Sequence, residues 1–64
     1  MYRIREVRSA LKISQKELSD RAQVSRPYLV DLEHNRRGAK PETLQRIADA
    51  LGVKVSVLTE REVG

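Results

Sequence analysis

Two serines, Ser14 and Ser25, each stand where a helix would begin, and only ten residues lie between them. Ser14 followed by Glu17 forms a capping box, with Ile13 and Leu18 placed as a hydrophobic staple around it. Val24 and Leu29 flank Ser25 in the same way, and Pro27 falls in the following first turn, where a missing N–H is harmless. The spacing predicts one helix over 15–22 and another from Arg26 to about His34. Only Gln23 and Val24 remain to turn the chain between them. Helices joined this tightly must cross at a steep angle, so the middle of the chain has few ways to fold.

The rest of the sequence builds helices around that pair. Ile4, Val7 and Leu11 recur at helical spacing and predict an amphipathic helix over about 2–11, linked onward by Lys12 and Ile13. Leu18 and Ala22, then Leu29 and Leu32, are the expected inward faces of the capped helices. Asn35 suits the left-handed residue that ends a helix. Arg36, Arg37, Gly38, Ala39 and Lys40 read as a basic loop. Pro41 opens a fourth helix over about 41–51, with Glu42 in its first turn, an inward stripe of Leu44, Ile47, Ala48 and Leu51, and Gly52 as its stop. Val53 to Val57 alternates as a β-strand would, but a lone strand has no partner in so small a helical domain and would need a second chain. A short helix from about Val55 to Thr59 is the preferred reading, with a frayed tail over 60–64. The expected fold is all-α: a single compact domain of five helices, in which the second and third form a helix-turn-helix. That motif suits its second helix to a DNA groove.

At 64 residues, with aromatics only 3% of the chain, the core must be small and aliphatic. Thirteen Lys and Arg against nine Asp and Glu give a net charge of +4, which suits a polyanionic partner. With no cysteine there is no disulfide, thiolate metal site or cysteine nucleophile. The first residues carry no apolar run, so neither a signal peptide nor a membrane anchor is expected, and a cytoplasmic location fits. His34, the one histidine, reads as a helix-end or surface residue rather than a metal ligand. The carboxylates form no acid/base pair, and no phosphate loop or nucleophile constellation occurs. Neither catalysis nor a cofactor is expected.

Leu18, Ala22, Val24, Ser25, Leu29, Leu32 and Glu33, then Leu44, the run from Ile47 to Val53, and Leu58, together resemble the phage repressor and Cro family of lambda-repressor-like helix-turn-helix domains. The resemblance spans Ile4 to Leu58. It departs at Gln23, where the family usually has Gly, and at Asn35, where Gly is common. Lys40 and Lys54 stand at cap positions usually held by Ser or Thr. The family implies a five-helix bundle, usually dimeric, that binds operator DNA and regulates transcription.

The resemblance also implies roles for particular side chains. Arg26, Pro27 and Asp31 match the base-facing positions of the recognition helix. An arginine can fork onto guanine O6 and N7, an aspartate can accept from cytosine N4, and a proline offers an apolar contact to a thymine methyl. Because Arg26 is opposed by Asp31 and Glu33, the helix reads as a selector of sequence rather than a generic phosphate binder. Gln15 matches a position that meets the DNA backbone at a helix N-terminus. Tyr28, Arg36, Arg37 and Lys40 are the other expected phosphate contacts. Arg8 and Glu33 match a pair that forms a buried salt bridge in some relatives. A homodimer contact is expected through Val55, Val57 or Leu58, because so small a bundle cannot hide every apolar residue near its end. The competing function is a protein-interaction module of the same fold, such as an antitoxin, bound to a toxin or to the transcription machinery.

Overall fold

A computed structural model describes residues 2–59, so the expected fraying of 60–64 lies outside the described residues. Five helices follow one another with no strand among the described residues: α1 (Ile4–Ala10), α2 (Gln15–Ala22), α3 (Arg26–Glu33), α4 (Pro41–Leu51) and α5 (Val55–Thr59). The α2 helix packs on both α3 and α4, α1 closes over α3, and α5 closes over α4.

The helix starts are where the serines put them. Ser14 Oγ accepts from the backbone N–H of Glu17 at 3.0 Å, and Ser25 Oγ accepts from that of Tyr28 at 3.3 Å. The Glu17 carboxylate pairs with Arg21 one turn on, at 3.2 Å. Lys40 caps α4 without a side-chain hydrogen bond, as its chemistry requires, since a lysine has no acceptor.

The helix ends share one device. Gln23, Asn35 and Gly52 are left-handed, with φ of 57°, 56° and 70°. Lys12 joins them at φ 60°, which nothing in the sequence signalled. Each connection between helices thus contains one left-handed residue, and three of the four use a side-chain-bearing residue where glycine would be free of strain.

Helix α1 is shorter than the expected 2–11. Tyr2 and Arg3 give their backbone N–H groups to distant acceptors, Asn35 Oδ1 at 3.0 Å and Leu58 O at 2.7 Å. At its other end Leu11 falls outside the helix and is 47% exposed, so the expected third member of the α1 stripe does not join the core. The core consists of Ile4, Leu18, Ala22, Leu29, Leu32, Leu44, Ile47, Ala48, Leu51 and Leu58. Val7, Ile13, Val24, Val53 and Val55 pack around it.

Leu58 settles the ambiguous last segment. A helix turns Leu58 fully inward, and that burial outweighs the strand-like alternation of the valines before it. The same burial corrects its expected place in a dimer contact: at 0% exposure, Leu58 presents nothing to a second chain.

Candidate nucleic-acid interface

Helix α3 is fixed in the bundle by a buried carboxylate. The Glu33 side chain is 0% exposed and receives three hydrogen bonds. Arg8 Nε donates to Oε2 at 2.6 Å, Arg8 Nη2 to Oε1 at 3.3 Å, and Gln15 Nε2 to Oε1 at 2.9 Å. A fourth bond, from Arg8 Nη1 to Ile13 O at 2.8 Å, holds the guanidinium against the α1–α2 link. One ion pair thus joins α1, the start of α2 and the end of α3. No buried side-chain nitrogen or oxygen among the described residues lacks a partner.

This arrangement changes the expected charge balance of α3. Glu33 is buried and paired, so it does not oppose Arg26 at the surface; Asp31 is the helix's only outward carboxylate. Asp31 is itself 40% exposed, with Arg36 Nη1 3.9 Å away. Arg26 and Pro27 are exposed in the first turn of α3, directly after the Ser25 cap.

Gln15 opens α2, and one of its amide hydrogens serves Glu33. A primary amide has two, so this bond uses only half of its donor capacity. Tyr28 is half-buried, and the Arg37 guanidinium lies over its ring at 5.0 Å from the centroid, a cation–π contact that orients an exposed cation. Arg36 and Lys40 are exposed in the loop beyond α3. His34 is exposed, and its Nδ1 lies 2.9 Å from Val30 O, partnering a carbonyl of the last turn of α3. Val55 and Val57 are half-buried on α5.

The sequence did not signal how the basic loop is held. Asn35 Oδ1 accepts from the Tyr2 N–H, and the Tyr2 hydroxyl accepts from the Ala39 N–H at 2.9 Å. Tyr2, Asn35, Arg36, Arg37 and Gly38 line a shallow open cleft at the end of α3. The Gln15–Glu33 bond was likewise invisible, since its partners are eighteen positions apart. Among the described residues no cluster of His, Cys, Asp and Glu could hold a metal ion, and no helix is long and apolar enough to cross a membrane.

Residues 4–58 match the family described as Helix-turn-helix. The immunity repressor protein of Bacillus phage phi105 is 38% identical over 60 residues, which are 94% of this chain and 42% of that protein. The HTH-type transcriptional regulator DdrOP3 of Deinococcus deserti is 41% identical over 58 residues, 91% of this chain and 45% of that protein. The chain spans less than half the length of either relative. Among solved structures, the N-terminal DNA binding domain of SinR from Bacillus subtilis superposes with a TM-score of 0.85 at 27% identity, covering 97% of this chain and 91% of that one. The restriction-modification controller protein C.AhdI from Aeromonas hydrophila gives a TM-score of 0.83 at 27% identity, covering 86% of this chain and 83% of that one.

Proposed function

Since the chain belongs to the helix-turn-helix family, whose members here are regulators and not enzymes, we propose that it is a transcriptional regulator that binds double-stranded DNA by sequence, acting as a repressor in the cytoplasm. The observation that carries this reading is the first turn of α3. It is capped by Ser25, exposed, and armed with Arg26, while the far end of the helix is held rigidly by the Arg8–Glu33–Gln15 network. A helix so fixed can enter a major groove with Arg26 and Pro27 foremost and Asp31 one and a half turns behind. The outward charge then divides into two tasks. Arg26 and Asp31 select bases, whereas Gln15, Tyr28, Arg36, Arg37 and Lys40 meet the phosphates on either side.

Two copies reading a pseudo-palindrome would place their α3 helices in successive major grooves, with half-sites about 10 bp apart. Val55 and Val57 remain the candidates for the contact between copies, since each keeps part of its apolar surface open to solvent.

Selection of binding sites from a random duplex library tests the reading. A defined, pseudo-palindromic motif is expected. Arg26→Ala should lower affinity for it by about 1–3 kcal/mol and relax the preference at one base pair per half-site. No enriched motif, together with unchanged affinity for Arg26→Ala, refutes sequence-specific binding.

A further inference from the structure

We propose that Tyr2 is a positioning residue for DNA binding, one that holds the loop carrying Arg36 and Arg37 in place at the end of α3. The inference rests on the DNA-binding reading above and assigns a role to a residue outside the helix-turn-helix itself.

The loop's other ties all run back to α3. Arg36 donates its N–H to Asp31 O at 2.9 Å and sets its guanidinium 3.9 Å from the Asp31 carboxylate, and Arg37 lies over the Tyr28 ring. Tyr2 is what joins the stretch to the rest of the bundle. Arg36, Arg37 and Gly38 are exposed, and none of them belongs to a helix. Tyr2 grips both ends of this stretch. Its backbone N–H binds the side chain of Asn35 on one side, and its hydroxyl binds the backbone N–H of Ala39 on the other. Tyr2 is anchored in turn, because the next residue, Arg3, donates its N–H to Leu58 O, and Ile4 after it is fully buried. The two arginines therefore hang from a bracket whose base is the core.

The bracket also explains why residue 35 is an asparagine. A glycine would adopt φ 56° without strain but has no side-chain acceptor for the Tyr2 N–H. Asparagine tolerates the left-handed conformation and supplies that acceptor. A free loop would lose conformational entropy each time its arginines met a phosphate; a loop already held loses less, and affinity rises accordingly.

Tyr2→Phe removes the hydroxyl and keeps the ring, while Asn35→Gly opens the bracket at its other end without touching the phenol. In the free protein, Tyr2→Phe should speed hydrogen exchange at the Ala39 amide. On the selected duplex, each variant should weaken binding about 3- to 10-fold, the scale of one lost hydrogen bond, while helicity is retained. The slope of log K against log salt should become shallower by up to about one phosphate contact. In an Arg36→Ala/Arg37→Ala background, adding Tyr2→Phe should cost less than about two-fold, because the positioned cations are gone.

Three results overturn the role: wild-type affinity in Tyr2→Phe, an equal cost of Tyr2→Phe with and without the two arginines, or unchanged affinity in Asn35→Gly alongside a loss in Tyr2→Phe, which marks a direct contact by the phenol. In each of these the wild type still binds DNA and only the role of Tyr2 fails. A wild-type chain with no duplex affinity overturns the DNA-binding reading, and this role with it.

Discussion

Removing Arg8 should be the most damaging single truncation of a charged residue in the bundle. Arg8→Ala leaves the Glu33 carboxylate in a site with 0% side-chain exposure, holding one hydrogen bond from Gln15 in place of three. It also removes the donor to Ile13 O. Stranding one partner of a buried pair typically costs about 3–5 kcal/mol. Arg8 is itself 14% exposed, so water can reach the space it vacates, and the lower end, about 3 kcal/mol, is expected. A domain of this length has only about 3–10 kcal/mol in total. In urea, with a slope near 1 kcal/mol/M, the midpoint should fall by about 3 M. Arg8→Lys keeps the charge but not the planar fork, and should lose about 1–2 kcal/mol. Replacing both partners, as in Arg8→Met with Glu33→Leu, should recover about half of that loss or more, because no charge is then left buried, the remainder being the lost partners of Ile13 O and Gln15 Nε2. Arg21→Ala is the contrast: it breaks an exposed pair with Glu17 and should cost no more than about 0.5 kcal/mol. A cost under about 1 kcal/mol for Arg8→Ala, or a double variant as unstable as the single one, would refute the stranding of a buried Glu33 charge.

Other perturbations have equally definite expectations. Gln23→Gly should raise stability by about 1 kcal/mol in thermal melts, since residue 23 sits at φ 57°; a loss would mean that the turn is not strained there. Leu58→Ala should cost about 2–5 kcal/mol by opening a cavity under α5, whereas Leu11→Ala, at a residue 47% exposed, should stay within about 0.5 kcal/mol. Equal effects at Leu58 and Leu11 in urea unfolding would refute the assignment of Leu58 to the core.

Most of the fold was legible because its signals are local. Ser14 and Ser25 fix two helix starts through their own hydroxyls, and Gln23, Asn35 and Gly52 mark reversals by position alone. Leu11 lies outside the core despite its helical spacing, because spacing says nothing of where a helix stops. Lys12 turns left-handed one residue later, and no glycine or asparagine announces it. The strand-like valines were decided by Leu58, which alternation alone cannot weigh. The charged residues of the interface are visible as types and spacings, and the buried Arg8–Glu33 pair is implied by the family resemblance, but the third partner, Gln15, is not. Only the opposition of Glu33 to Arg26 fails, because the buried ion pair takes that carboxylate away from the surface. Tyr2 carried no signal, since its partners lie thirty-three and thirty-seven positions away.

The bond from Arg3 N–H to Leu58 O joins the first described helix to the last. It brings Arg3 and Leu58, near the two ends of the described residues, to one spot. Fraying at either of these positions removes a hydrogen bond from the other, so the two ends of the described bundle are coupled. Closing that ring spans nearly the whole described chain, 55 positions, and loop-closure entropy grows only slowly with length, so even this distant a contact adds little to the cost of folding. The five short helices, few of which would hold alone in water, are thereby made to stand or fall as a single cooperative unit.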